Sequence, residues 1–301
     1  MNSVLLTAMV LSSMVLHSST IEALKSTAEV EAFIRTYAPK ISQDPTKFRI
    51  KPTDELASEM DCDGRFETWG IKNWEKADLN NDGRTDLLVI GHWYGTRPLV
   101  VLDLGDAHFR FIRLPGQAVE GCQLFKPIKV KGQTLIKTYT KVPKKQTNPS
   151  WDAVRYQTDT LAFLNNTLIT YNAKPANTVM TSISLRTTPC FGSCPVFHVT
   201  LLPDDTALFE GQEHTPLIGK HKLSLQAGTF QRLETLLNYM DLSKLKRFYA
   251  VPWTDDQTAT LEITTANGNS IRIEDYGMQG TLGLEAVYQT FSAIVASINH
   301  Q

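Results

Sequence analysis

The sequence lacks an excess of charge of either sign. Its 301 residues hold 30 Lys and Arg against 31 Asp and Glu, which gives a formal net charge of −1. Nucleic-acid-binding proteins typically cluster Lys and Arg on one face or helix. No long basic run is present here, so we expect no nucleic-acid partner.

The sequence also lacks a long apolar run, apart from a short one near its start. Residues 4–15 are uncharged and mostly apolar, and such a segment is too short to span a bilayer but has the length of a signal-peptide core. Small residues follow within 18–23. We therefore predict a signal peptide over 1–23, a periplasmic or secreted protein, and no transmembrane segment after cleavage. Because no Lys or Arg precedes the run, an N-terminal core helix is the alternative.

Familiar catalytic motifs are missing as well. The chain has no Gly-x-Ser-x-Gly elbow, no His-Glu-x-x-His pair and no phosphate-binding loop. One weak constellation is Asp255-Asp256 with Trp253 and Tyr249, which could line a groove for a peptide or sugar, or could simply close a loop. The absences favour a protein that is not an enzyme and that binds an unknown protein, peptide or glycan.

What is present indicates a globular α+β chain. The hydrophobic fraction is 42% and the charged fraction 20%, which is typical of a chain with a real core. Hairpin patterns alternate with amphipathic helices, and a Pro- and Asn-containing linker falls near 172–177. We predict an N-terminal domain over 24–172 and a C-terminal domain over 178–301. Each is expected to be a mainly antiparallel sheet with helices packed on one face.

Local signals place several elements. Ser26 and Glu29 have capping-box spacing and predict a helix start. Asn267-Gly268 between two strand-like runs predicts a tight hairpin. Residues 230–240 and 284–298 carry apolar side chains at helical spacing.

The four cysteines are Cys62, Cys122, Cys190 and Cys194. An even number of cysteines in an exported chain favours disulfides, and four allow three connectivities. The predicted domain division favours the pairs Cys62–Cys122 and Cys190–Cys194.

A possible metal-binding loop spans residues 78–86. Oxygen-bearing side chains lie at loop positions 1, 3, 5 and 9, and Gly83 lies at position 6. This spacing suits Ca²⁺, which takes six to eight oxygen ligands. The expected ligands are Asp78, Asn80, Asp82, the backbone carbonyl of Arg84, and Asp86.

This loop resembles the Asp-x-Asn-x-Asp-Gly loops of FG-GAP and VCBS-type repeats of secreted β-propellers, in which a strand also follows. Position 12 is Val89 rather than Glu, so the segment is not a complete helix–loop–helix calcium site. A single copy does not imply a propeller. We expect a structural Ca²⁺ ion, and the alternative is a turn-rich loop without metal.

The second motif is Cys190-Phe191-Gly192-Ser193-Cys194-Pro195. It resembles an uncharacterised family of bacterial envelope domains with the signature Cys-Phe-Gly-x-Cys-Pro-x-Tyr/Phe, and the resemblance extends over roughly residues 178–300. In that family an Asp-containing turn, a Gly and a Thr-Asp pair follow, and residues 204–205, 211 and 254–255 match them. The resemblance implies a domain boundary but no activity, substrate or cofactor.

Three roles are open for Cys190 and Cys194. A structural disulfide before a strand is the simplest. Thiol–disulfide exchange is the second, although redox motifs have the spacing Cys-x-x-Cys at a helix start. Metal ligation is the third, with His198 and either His214 or His221 as further ligands. The function we predict is that of a non-enzymatic binding or interaction protein of the bacterial envelope, stabilised by calcium and disulfides. The alternative is a thiol–disulfide oxidoreductase that uses Cys190 and Cys194.

Overall fold

The computed structural model describes residues 20–38, 47–60, 62–93, 95–114, 122–143 and 154–298. The described helices are α1 (Thr20–Ala23), α2 (Thr27–Tyr37), α3 (Thr53–Glu59), α4 (Arg65–Trp69), α5 (Thr229–Tyr239) and α6 (Leu282–Ser297). The described strands are β1 (Trp74–Ala77), β2 (Asp86–His92), β3 (Thr96–Asp103), β4 (Phe109–Arg113), β5 (Leu124–Val130), β6 (Gln133–Pro143), β7 (Val154–Leu164), β8 (Thr167–Thr170), β9 (Met180–Thr187), β10 (Val196–Leu201), β11 (Thr206–Glu213), β12 (Gly219–Ser224), β13 (Phe248–Ala250), β14 (Thr258–Thr265) and β15 (Ser270–Tyr276).

The contacts divide the chain into two compact units. Unit 1 holds residues 1–56, 72–78 and 82–119, and unit 2 holds residues 57–71, 79–81 and 120–301. This division does not follow the predicted linker at 172–177, because residues 120–171 belong to the same unit as the C-terminal half. Whether 24–172 and 178–301 fold as separate domains stays a prediction.

Unit 1 is built on an antiparallel meander of four strands, β1-β2-β3-β4. Helix α2 begins at the predicted capping box, where Ser26 accepts from the Glu29 N–H and the Glu29 carboxylate accepts from the Ser26 N–H. The helix then buries Val30, Phe33 and Ile34 in one core with side chains of β2 and β3. Ile21 of α1 is fully buried in the same core.

Unit 2 contains two sheets. The smaller is the antiparallel meander β5-β6-β7-β8. The larger has seven strands in the order β12-β11-β10-β9-β14-β15-β13, and all its pairs are antiparallel except β13 with β15. The predicted Asn267-Gly268 turn joins β14 to β15, with Gly268 at φ 82°.

The core of unit 2 lies between the seven-stranded sheet and helices α5 and α6. Leu185, Val199 and Leu261 of the sheet are fully buried, as are Leu237 of α5 and Phe291 of α6. Strands place alternate residues on opposite faces, so the other face of these strands carries polar side chains such as Arg186 and His198.

The predicted fold class is confirmed: the protein is α+β, with mainly antiparallel sheets. Among the helices that the structure describes, none is long and apolar enough to cross a membrane. Residues 1–19 of the predicted signal peptide lie outside the described residues.

Candidate functional site

The cysteine motif forms a small closed ring between β9 and β10. Cys190 and Cys194 are joined by a disulfide with a Cα–Cα distance of 5.8 Å. Gly192, in the middle of the ring, has φ 150°, a backbone conformation that favours glycine. Pro189 and Pro195 flank the ring and further restrict its backbone. We call residues 188–195 the ring loop.

A second segment, residues 251–257, holds the ring loop in place, and we call it the tryptophan loop. The Phe191 N–H donates to the Asp255 carbonyl at 3.0 Å. The Gln257 side-chain Nε2 lies 2.8 Å from the carbonyl oxygens of both Thr188 and Pro195, at the two ends of the ring loop. Gln257 is only 8% exposed, so it supports the ring from inside the fold.

Each of the two loops presents an aromatic side chain to solvent. Phe191 is 90% exposed and Trp253 is 48% exposed. Most of the surface of Phe191 is therefore in water, although its backbone is held by the disulfide ring and a hydrogen bond. An exposed apolar side chain on a backbone that is held in place contributes little to a core, and it can contribute to an interface.

Two carboxylates accompany these aromatics. The Trp253 indole N–H donates to Asp256 at 2.9 Å and the Gln257 N–H donates to the same carboxyl at 2.7 Å. These two donors hold the pKa of Asp256 below its usual range. Asp255 is exposed and has φ 69°. Phe191, Trp253, Asp255 and Asp256 form what we call the aromatic rim.

Tyr249, which the sequence grouped with this set, points elsewhere. It lies on β13, paired with Asp275 of β15, and it packs against the unit 2 core. Its hydroxyl accepts from the Lys246 N–H at 3.0 Å. The structure thus brings together Trp253, Asp255 and Asp256, with Phe191 as an added member that the sequence did not include in the groove.

The Asp-containing turn of the motif has a structural role. Asp205, in the turn between β10 and β11, accepts from the N–H groups of Gly228 and Phe230 at the start of α5, at 2.7 and 2.8 Å. It therefore caps that helix across 25 residues of sequence. Gly211 is required for a close approach, because a Cβ there would lie 1.9 Å from the Leu217 carbonyl.

The predicted calcium ligands of unit 1 lie on one loop, and N–H groups of the same loop donate hydrogen bonds to the Asp78 and Asp82 carboxylates. The Asp78 carboxylate accepts from the Asp82 and Gly83 N–H groups at 3.0 Å each. Asp82 accepts from the Arg84 N–H at 2.9 Å, and its other oxygen lies 3.4 Å from the Arg84 guanidinium. Buried Asp86 accepts from the Asp103 N–H at 2.9 Å.

The remaining predicted ligand, Asn80, belongs to unit 2. Its side-chain amide donates to Asn166 at 2.8 Å, and neighbouring Asn81 exchanges two hydrogen bonds with Thr134. In the ranges that the structure describes, no three His, Cys, Asp or Glu side chains are grouped closely enough to hold a metal ion. The contacts of residues 78–86 match a turn-rich loop, and calcium stays a prediction.

The second disulfide joins Cys62 to Cys122 in unit 2, with a Cα–Cα distance of 5.1 Å. The structure thus pairs the cysteines as the domain division favoured. In the same unit, the Arg65 guanidinium lies 4.4 Å from the Tyr139 ring centre and Lys137 Nζ lies 3.9 Å from that of Trp69. Sequence reasoning missed this cluster, because its members come from α4 and β6.

His198, a predicted metal ligand together with Cys194, contacts Arg186. Its Nδ1 lies 3.1 Å from the Arg186 guanidinium on the neighbouring strand, and burial followed by that cation lowers its pKa. Cys194 is in a disulfide and offers no thiolate. The arrangement therefore gives no support to a metal site built on Cys194 and His198.

A carboxyl pair between β15 and α6, in which Asp275 is buried and Glu285 is half-buried, was also missed from sequence. Asp275 is 1% exposed and accepts from the Gly280 N–H at 2.8 Å and the Tyr288 hydroxyl at 3.1 Å. Burial raises the pKa of Asp275, and burial together with the charge of Asp275 raises that of Glu285. Glu285 and Tyr288 line a cavity of about 340 Å³. The sequence signal was an Asp inside an otherwise regular strand.

The comparisons with known proteins concern the same half of the chain. Residues 181–295 match the family model described as "Domain of unknown function (DUF6438)". This range contains both the ring loop and the tryptophan loop, and it agrees with the expected uncharacterised domain in the C-terminal half. Among the curated proteins, none matches this chain.

Proposed function

We propose that this chain is a non-enzymatic binding module that engages its partner through the aromatic rim. The observation that carries the proposal is Phe191, which is 90% exposed on a ring closed by a disulfide. The backbone of the ring loop is fixed before binding, so little conformational entropy is lost when the loop meets a partner. Aromatic side chains supply much of the binding energy of many protein interfaces.

The hydrogen bonds around the rim support the same proposal. Gln257 is largely buried and uses its side-chain amide to hold the neck of the ring loop. The Thr188 N–H also donates to the Thr258 carbonyl at 3.1 Å. These bonds hold the ring loop at the surface. Phe191 itself is not part of the hydrophobic core. A preorganised loop of this type is typical of recognition sites.

We further propose that the protein works outside the cytosol, in the periplasm or after secretion. Two disulfides in one chain favour an oxidising compartment, and the apolar residues 4–15 supply an export signal. Because Ile21 is buried in the core of unit 1, the leader would be cut before that residue. N-terminal sequencing of the exported protein checks this position.

Calcium in the 78–86 loop would be a structural brace for unit 1 in this proposal. The loop carries enough oxygens for such an ion, but the Asp82 carboxylate would first have to release the Arg84 side chain. The proposal for binding at the rim does not depend on calcium.

Site-specific photocrosslinking tests the binding function. A photoreactive amino acid replaces Phe191 in one variant and Ile218, which is 63% exposed elsewhere in the same unit, in the control. In the cells that produce the protein, we expect a discrete adduct from position 191 and none from 218. Loss of that adduct when Trp253→Ala is added would tie it to the rim. If position 191 yields no adduct beyond that of 218, the proposal is wrong.

The oxidoreductase alternative has less support. Strand β10 follows Cys194, whereas redox disulfides gain thiolate stability from a helix start or a nearby cation. The charged residues of the ring loop and the tryptophan loop are Asp255 and Asp256, and their negative charge disfavours a thiolate. An insulin-reduction assay with Cys194→Ser as control decides the matter: turnover above that control would restore the alternative.

A further inference from the structure

We propose that the partner of the aromatic rim is an extended peptide segment whose Lys or Arg side chain lies on the Trp253 ring and beside Asp255 and Asp256. The inference rests on the proposed binding function and adds the chemistry of the ligand. It is carried by the charge of the two loops together with the orientation of the tryptophan.

The charge at the rim has one sign. The ring loop and the tryptophan loop, residues 188–195 and 251–257, contain Asp255 and Asp256 and neither Lys nor Arg. Both aspartates follow Trp253 within three residues, on the segment whose Asp255 carbonyl accepts from the Phe191 N–H at 3.0 Å. The exposed aromatics therefore lie in a local field that favours a cation over an anion or a neutral group.

The hydrogen bond between Trp253 and Asp256 orients the ring for this use. The indole N–H points at the carboxylate at 2.9 Å, so the edge of the ring is engaged and the indole is held in one orientation. Trp is the aromatic side chain that binds cations best over its face. A guanidinium or ammonium group over the indole would also be close to the Asp256 carboxylate, which adds an ion pair to the cation–π contact.

The second carboxylate, that of Asp255, lies at the surface. Asp255 has φ 69°, and the Thr254 hydroxyl donates to its Oδ2 at 3.0 Å. Its side chain is exposed. A peptide cation can thus meet an exposed carboxylate at Asp255, while Phe191 offers apolar contact to a neighbouring side chain of the same peptide.

A library of random dodecapeptides displayed on phage tests the inference with the whole protein as bait. We expect peptides selected on the wild type to be enriched in Lys and Arg next to an apolar residue. A synthetic peptide of the most enriched sequence should bind about tenfold more weakly to Asp255→Asn/Asp256→Asn, the loss expected for the ion pairs with the two carboxylates while the Trp253 ring is kept. The affinity should also fall as salt is raised.

The matched control removes the same charge elsewhere in unit 2. Asp204→Asn/Asp241→Asn changes two surface carboxylates that lie outside both loops, and it should leave the peptide affinity unchanged. Circular dichroism of all variants checks the fold. An equal loss in this control would show a general charge effect and would contradict the assignment to the rim.

The remaining outcomes separate this inference from the function on which it rests. Peptides that depend on Phe191 but show no preference for Lys or Arg would overturn the cationic partner and leave the binding function standing. Binding to a glycan array, together with a library that selects no more peptides on the wild type than on Phe191→Ala/Trp253→Ala, would also overturn the cationic peptide and leave the binding function standing. If neither the library nor the array shows binding that depends on the rim, both proposals fail.

Discussion

The Gln257 side-chain amide donates to the Pro195 carbonyl at 2.8 Å, and this contact closes the neck of the ring loop from inside the fold. The same nitrogen also lies 2.8 Å from the Thr188 carbonyl, before the ring. One largely buried side chain therefore joins the two ends of the exposed loop that presents Phe191. The ring loop is thus held by the Gln257 side chain as well as by the Cys190–Cys194 disulfide.

Replacing Gln257 with Ala should destabilise the protein and loosen the ring. The Thr188 carbonyl would lose a donor at a partly buried position, while the Pro195 carbonyl would keep the Thr187 hydroxyl. Loss of such hydrogen bonds typically costs about 0.5–1.5 kcal/mol of unfolding free energy. Urea unfolding measures the loss, and hydrogen exchange of the Phe191 amide measures the loosening. Gln231→Ala, on the exposed side of α5, is the control and should change neither. A rigid ring in Gln257→Ala would show that the disulfide alone sets the loop.

The two phenylalanines of the motif should behave in opposite ways. Phe197 is 3% exposed in the core of unit 2, so Phe197→Ala should cost about 3–5 kcal/mol. Phe191 is 90% exposed, and Phe191→Ala should stay within about 0.5 kcal/mol of the wild type. Urea unfolding of both variants checks the contrast. A large loss in Phe191→Ala would mean that the residue supports the fold rather than a partner.

Local structure could be predicted from sequence where it depends on near neighbours. The Ser26–Glu29 capping box and the Asn267-Gly268 hairpin are both where their motifs placed them. Their hydrogen bonds link residues only a few positions apart, so the pattern itself contains the partners. The helices of the C-terminal half were found in the same way, because their apolar spacing is set by the core they face.

Features that depend on distant pairing could not be predicted. For Tyr249 the sequence left a groove or a closed loop open, whereas Tyr249 lies on β13, pairs in parallel with β15 and packs against the core. The role of Asp205 depends on α5, whose first turn lies more than 20 residues away. The short helices α3 and α4 and the edge strands β12 and β13 were not predicted either. The two units are each assembled from segments that are distant in sequence, and whether the linker near 172–177 separates two domains stays a prediction.

The two disulfides should differ in their effects on stability. Cys62 and Cys122 are separated by 60 residues and Cys190 and Cys194 by 4. In the chain-entropy account, closing the longer loop contributes about 4 kcal/mol and closing the shorter about 2 kcal/mol. We expect Cys62→Ala/Cys122→Ala to unfold at lower urea than Cys190→Ala/Cys194→Ala. The second variant should instead lose partner binding, and the reverse order of stabilities would contradict this division of roles.

Calcium should stabilise unit 1 if the 78–86 loop binds it. Binding to the folded state alone adds about 2.7 kcal/mol when free calcium is about 100 times Kd. Thermal unfolding with calcium and with a chelator measures the effect, and Asp82→Asn should remove it. Asp106→Asn, in the β3–β4 turn, is the control and should keep the response. An unchanged melting temperature on chelation would leave residues 78–86 as a turn-rich loop without metal.

The Asp275 carboxyl should make stability fall as pH rises. Its pKa is raised by burial above the ordinary value of 3.8, against the opposing Gly280 and Tyr288 hydrogen bonds. When the pKa is higher in the folded state than in the unfolded state, the group's contribution to stability is complete below the unfolded-state pKa. That contribution is lost as the pH rises through the folded-state pKa. Asp275→Asn removes this titration and keeps an oxygen that can accept from Gly280 and Tyr288.

The difference in unfolding free energy, wild type minus Asp275→Asn, should therefore decrease from about pH 4 to about pH 7. Glu285 faces the same carboxyl and also has a raised pKa, so Glu285→Gln serves as the second background. In that background the decrease should be smaller, because one of the two interacting charges is gone. Urea unfolding across the pH series measures it. A difference that stays constant with pH would show that Asp275 keeps one protonation state throughout.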